Sequence, residues 1–145
     1  MKKLKKRIIR IKSEEETRAL GFLIAKDIEA GDVIALLGDL GTGKTALTRY
    51  IAKGLGVTEN INSPTFTIVK EYRSGRLPLY HYDVYKLGDG NDLLDIGAEE
   101  YLEGDGVCII EWADIVADVL PDDAIIIKLE YGDKESERIV TIERR

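Results

Sequence analysis

The run Gly38-Asp39-Leu40-Gly41-Thr42-Gly43-Lys44-Thr45 satisfies every fixed position of the pattern G-x-x-x-x-G-K-[ST]. Glycines in such a loop let the backbone curl until its N–H groups point inward at phosphate oxygens, and a helix starting at its end adds positive potential. Lys44 would reach the β- and γ-phosphates, and the Thr45 hydroxyl would coordinate Mg²⁺. A chance match at all fixed positions in a chain of 145 residues has a probability on the order of one in a hundred or less. Nucleotide-bound Mg²⁺ demands octahedral oxygens and usually draws on one or two carboxylates. Asp83 closes the run Leu79-Tyr80-His81-Tyr82, and Glu111 closes Val107-Cys108-Ile109-Ile110. Each run thus delivers an acid to its C-terminal end, where α/β sheets place ligands. One acid would hold Mg²⁺ directly or through water, and the other would orient or deprotonate the attacking water; either acid suits either task.

Other residues carry weaker signals. His81, the lone histidine, has no cysteine or serine partner with which to form a nucleophilic site and reads as a strand residue hydrogen-bonded to its surroundings. Trp112 follows Glu111 and could cover a nucleotide or simply pack. Arg73 and Arg76, at a hairpin tip, could neutralise phosphate charge or stay solvated. The hydroxyls of Ser63-Pro64-Thr65-Phe66-Thr67 could sense a γ-phosphate as a switch, or cap a turn.

These residues need a frame. Val33 to Leu37 is a continuous apolar run, the mark of a strand buried on both faces, and it feeds straight into the glycines. Thr45 to about Leu55 follows as a helix with Leu47, Ile51 and Leu55 on one stripe, closed by Gly54 and Gly56. Upstream, Lys6 to Ile11 reads as a short strand. Ser13 and Glu16 form a capping box for a helix with Leu20, Leu23, Ile24 and Ile28 on one face, and Gly31 is placed to end it. Downstream, Thr65 to Tyr72 and Leu77 to Tyr85 read as a hairpin, with Pro78 at the start or edge of its strand. Asp92 to Leu102 is short helical or irregular structure, and Val107 to Ile110 a buried strand. Ala113 to Leu120 is a short helix stopped by Pro121, and Ala124 to Tyr131 with Arg138 to Glu143 a second hairpin. With neither repeat nor linker, the pattern predicts one domain over residues 1–145. It is an α/β domain of the P-loop NTPase-like, three-layer kind, with a mixed parallel and antiparallel central sheet.

Composition narrows the class further. The chain carries 21 Lys+Arg against 27 Asp+Glu, a net charge of -6. Lys2, Lys3, Lys5, Lys6, Arg7, Arg10 and Lys12 crowd the first twelve residues without an acid, leaving 14 basic against 27 acidic groups, a balance of -13, in the rest. A body so acidic repels phosphate backbones and argues against a protein that grips nucleic acid over most of its surface. The basic run suits the flanks of an edge strand, where lysines discourage unwanted pairing. Nothing approaches a membrane span or the apolar stretch of a signal peptide. Cys108 is the sole cysteine, which excludes a disulfide within the chain and a cysteine-based metal site and favours a reduced, cytoplasmic setting.

G-D-L-G-T-G-K-T, S-P-T-F-T, H-Y-D-V-Y-K-L and I-I-E-W, in that order, resemble the TsaE (YjeE) family of small bacterial P-loop ATPases, from near Ser13 to the last hairpin. The resemblance implies a subunit that binds ATP and Mg²⁺ and hydrolyses ATP poorly alone. It further implies association with a TsaB–TsaD heterodimer that forms threonylcarbamoyladenosine next to the anticodon of tRNAs reading codons that start with A. ATP turnover would reset that complex, and tRNA would be met mainly through the partners. Carried over by motif, Gly38 to Thr45 hold phosphates, Thr45 and Glu111 bind Mg²⁺, and Asp83 is the water-activating acid or reaches Mg²⁺ through water. Thr65 lies in the switch-like segment, Trp112 beside the site, and Thr17 approaches the adenine. The chain ends soon after its final strand, so a partner contact made by a C-terminal helix in longer members is not expected.

Two other classes use the same loop. A small-molecule kinase needs an acceptor pocket and an arginine-bearing lid, for which the sequence offers only Arg73 and Arg76. A GTPase-like switch needs a guanine-reading N-K-x-D motif, which the sequence lacks.

Overall fold

The strand that carries the glycine loop, β2 (Val33–Leu37), lies at the centre of a seven-stranded sheet because every one of its residues but the last is buried. The computed structural model describes residues 6–39, 41–61, 69–83 and 104–145, and of residues 114–116 only the backbone. Around β2 stand β1 (Arg7–Ile11), β3 (Val69–Tyr72), β4 (Leu79–Asp83), β5 (Val107–Glu111), β6 (Ile125–Tyr131) and β7 (Arg138–Arg144), in the order β1-β7-β6-β2-β5-β4-β3. The central strands β6, β2, β5 and β4 are mutually parallel; β7 pairs antiparallel with β6, β1 antiparallel with β7, and β3 antiparallel with β4. The sheet is therefore mixed, as the sequence pattern predicts. Among the described residues no helix is long and apolar enough to cross a membrane.

Strand alternation divides the core in two. Ile34, Leu36, Val107, Ile109, Ile125 and Ile127 face α1 (Glu14–Asp27) and α2 (Lys44–Gly54), whereas Val33, Ala35, Cys108, Ile110, Tyr80 and Tyr82 face the opposite way, against Ala113 and Leu120. Helices, sheet and the 3-10 helix Ala113–Val119 make three layers. Burying each of the larger aliphatic side chains contributes about 1.5–3 kcal/mol, so this sheet carries most of the scaffold's stability. The same alternation puts Asp83 and Glu111 on the α2 face, since each follows a residue of that face by an even number of positions.

Local signals set the helix ends. Ser13 Oγ accepts from Glu16 N at 3.2 Å, while the Glu16 carboxylate accepts from Lys12 N at 3.3 Å, one residue further back than the standard box. The face of α1 differs from expectation: Leu20, Ile24 and Ile28 are buried, but Leu23 is 54% exposed and Gly21 and Ala25 take the inner positions. Close helix packing explains this. A Cβ on Gly21 would come within 2.5 Å of the Tyr50 Cβ, and one on Gly54 within 2.5 Å of the Ala25 Cβ, so α1 turns its small residues toward α2. Helix α1 also stops at Asp27, earlier than a Gly31 terminator implies, and Gly31 serves the turn into β2 by donating to Gly106 O at 2.8 Å. The expected helix from Ala113 is a 3-10 helix ending at Val119. The predicted strand start at Thr65, the segment Ser63–Thr67, the segment Asp92–Leu102 and the lysines Lys2, Lys3 and Lys5 lie outside the described residues.

Candidate functional site

The loop between β2 and α2 is shaped by its glycines. Gly38 has φ 147° and Gly43 φ 102°, values that L side chains rarely adopt. A Cβ on Gly38 would also lie 2.6 Å from Leu129 O and 2.8 Å from Thr42 Oγ1. Thr42, almost wholly buried, ties the curl together by donating from its hydroxyl to Asp39 O at 2.7 Å. Helix α2 then begins with no side-chain cap on its N-terminal N–H groups. Such groups are an anion site in waiting. Leu40 lies outside the described residues.

Lys44 is folded back onto this loop. Its Nζ donates to Gly38 O at 2.6 Å and lies 3.5 Å from the centroid of the Trp112 ring. Carbonyl oxygens and ring faces both attract an ammonium, and a phosphate oxygen would attract one more strongly. Trp112 pays a backbone cost for its place, at φ 61°, a left-handed conformation that is strained by about 1–2 kcal/mol in a residue with a side chain. Such strain is typical of ligand sites.

Parallel pairing delivers the acids. Glu111 stands beside Leu36, the penultimate residue of β2, and Asp83 stands beside Glu111 on the next strand. Both line a cavity of about 300 Å³ together with Gly41, Gly43, Lys44, Thr45 and Trp112. Within it Thr45 Oγ1 donates to Glu111 Oε1 at 3.1 Å, and the other oxygen, Oε2, lies 2.5 Å from Nε2 of His81. Among the described residues no three His, Cys, Asp or Glu side chains gather as a metal cage. Mg²⁺ needs none, because it keeps waters and draws on substrate phosphates. A hydroxyl and two carboxylates beside a glycine-rich loop are hard oxygen donors that fit it.

A second cavity, of about 250 Å³, opens on the other side of the loop. Its walls include Ser13 and Thr17 of the first helix, Gly41 to Gly43, Ala46, Ser136 and Arg138. Thr17 therefore stands next to the loop, its hydroxyl donating to Ser13 O at 3.2 Å.

Of the two readings open for the tip arginines, a role at phosphate and an ordinary turn position, the structure favours the second. Arg73 and Arg76 precede β4, whereas Asp83 ends it, so the hairpin tip lies at the opposite end of the sheet from the loop. There Arg76 donates to Ala25 O at 2.5 Å and to Ile28 O at 3.0 Å, closing the C-terminus of α1, and Arg73 pairs with Glu71 and Tyr80. The arginine that does approach the loop is Arg138, whose Nη2 is 3.4 Å from Gly41 O and whose guanidinium lies 4.6 Å from the Tyr131 ring centroid. Nothing in the sequence joins it to a glycine 97 positions away; the pairing of β7 with β6 and of β6 with β2 does. The lone thiol plays no part, since Cys108 is buried and burial pushes it up to about 12.

The family model described as Threonylcarbamoyl adenosine biosynthesis protein TsaE matches residues 11–140. A tRNA threonylcarbamoyladenosine biosynthesis protein TsaE from Bacillus subtilis is 48% identical over 138 residues, covering 94% of this chain and 84% of that protein. A protein of the same name from Treponema pallidum is 45% identical over 118 residues, covering 81% and 87%. The crystal structure of Bacillus subtilis YdiB superposes with a TM-score of 0.83 at 40% identity, over 95% of this chain and 84% of that one.

Proposed function

Because the chain belongs to the TsaE family of tRNA threonylcarbamoyladenosine biosynthesis proteins, we propose that it is the Mg²⁺-dependent ATPase subunit of that process. The observation that carries this reading is the Thr45–Glu111 contact at the mouth of a fully matched phosphate loop. The loop N–H groups and the N-terminus of α2 bind the phosphates, and Lys44 exchanges Gly38 O for their oxygens. Thr45 and Glu111 hold Mg²⁺, with Asp83 beside them orienting or deprotonating the attacking water. Bound there, Mg²⁺ neutralises phosphate charge. Thr17 stands where the adenine would enter the neighbouring cavity, Trp112 covers the phosphate side, and Thr65 belongs to the segment that would sense the γ-phosphate.

The acidic body suits a subunit that leaves most tRNA contact to others. We assign that contact to a TsaB–TsaD heterodimer, in the cytoplasm, with ATP turnover resetting the assembly between rounds of threonylcarbamoyl transfer. A kinase gains no support from the site, since Arg73 and Arg76 stand at the other end of the sheet from the loop, and a GTPase gains none because the sequence lacks N-K-x-D. Hydrolysis of ATP and of GTP should be measured for the chain alone and with purified TsaB and TsaD. Slow ATP turnover that rises when both partners are present is expected. Exclusive use of GTP, stoichiometric phosphate transfer to a metabolite, or indifference to the partners would overturn the proposal.

A further inference from the structure

His81 is wholly buried and touches no face of the cavity, yet its Nε2 is 2.5 Å from the carboxylate oxygen of Glu111 that Thr45 leaves free. An ionised carboxylate only accepts, so Nε2 carries the hydrogen and donates it. On the other side of the ring Nδ1 is buried and has no hydrogen-bond partner among the described residues. Among the described residues the polar contact of the imidazole is to Glu111. The two strands explain the reach. His81 pairs across β4 and β5 with Ile109, and Glu111 stands two residues further along on the same face. An imidazole at this position meets one carboxylate oxygen while Thr45 meets the other.

We propose that His81 is a positioning residue that fixes the Glu111 carboxylate for Mg²⁺, holding Oε2 so that Oε1 stays presented beside Thr45. The inference rests on the reading of Glu111 as a Mg²⁺ ligand. A partner behind a metal-binding carboxylate restricts its rotation and tunes its basicity, and removing such a partner typically costs about 10- to 100-fold in metal affinity. His81 makes no contact with substrate and moves no proton to it.

The full chain contains one histidine, so its ring nitrogens give an unambiguous nitrogen-15 NMR signature. The wild type should show a protonated Nε2 whose ring proton is shifted downfield, lost in Glu111→Ala and kept when Mg²⁺ and a non-hydrolysable ATP analogue are added. An unprotonated Nε2, or a signal indifferent to Glu111→Ala, would overturn the pairing even if His81 variants fold poorly. In a second measurement, the Mg²⁺ concentration that half-saturates the ATP complex should rise about 10-fold or more in His81→Leu and return most of the way in His81→Gln, which restores a donor. Affinity for ATP without metal depends on the loop and Lys44 and should change less than about twofold. Wild-type Mg²⁺ dependence in His81→Leu would refute the positioning role. Absence of ATP binding by the wild type would instead defeat the functional reading, and the NMR comparison would still decide whether His81 holds Glu111.

Discussion

At the C-terminal end of the parallel strands Lys44 donates to a backbone carbonyl of its own loop; at the N-terminal end Arg76 donates to two carbonyls that close α1. Both are cations on carbonyl oxygens, and both stand beside a glycine that admits close backbone approach, Gly38 against Leu129 O and Gly75 against Leu55 O. The difference lies in what surrounds them. Around Lys44 the strands deliver Glu111, Asp83 and an uncapped helix N-terminus, with a cavity between them. Around Arg76 the carbonyls are the orphan acceptors of a helix end, and the cation satisfies them outright. Residue type alone does not distinguish a cation beside the acid-lined cavity from one that closes a helix; strand direction does.

Substitution at the two ends should therefore separate binding from stability. Lys44→Ala should weaken ATP binding by about 100-fold or more, since it removes a largely desolvated charge from the phosphates. The variant's urea midpoint should move little, and calorimetric titration beside urea unfolding would show both. Retained affinity would break the contrast at its strong end. Arg76→Ala should do the reverse, lowering stability by about 1–2 kcal/mol through lost capping of α1 with ATP affinity unchanged. If Arg76→Ala weakened ATP binding while its unfolding midpoint stayed put, the far end of the sheet would belong to the site after all.

The loop, the two acids and the strands that carry them were legible because each depends on neighbours in sequence: a glycine pattern, an apolar run, an acid at its end. The arginines were not, because a hairpin tip gives no indication of which end of the sheet it occupies until the pairing of β4 with β5 is known. Arg138 was hidden for the same reason, whereas His81 was legible as a hydrogen-bonded strand residue but not its partner. Each meets the site across strands, Arg138 at Gly41 and His81 at Glu111. Leu23 shows a different limit: periodicity marks it as buried, but the close approach at Gly21 and Gly54 rotates α1 and leaves it exposed.

The smallest expected effect tests whether the loop end is wholly given to chemistry. Glu137, in the turn between β6 and β7 and next to Arg138, accepts from Asp133 N at 3.1 Å and from the Arg10 guanidinium of β1. The Asp133 N–H, followed by Arg10, holds its carboxyl below the ordinary value of 4.5 against the opposing pull of burial. A group whose folded value is depressed contributes stability that is fully present above its unfolded value and lost as pH falls through the folded one. Unfolding free energy should therefore decline below pH 4.5, and the decline should be shallower in Glu137→Gln, which cannot ionise. Urea unfolding at a series of acid pH values would measure both slopes. Because Glu137 does not line the cavity of Lys44, Asp83 and Glu111, Glu137→Gln should leave ATP affinity at neutral pH as it is. A matching loss of affinity would mean that the hairpin clamping β1 also sets the shape of the glycine loop, and that scaffold and site at this end of the sheet cannot be separated.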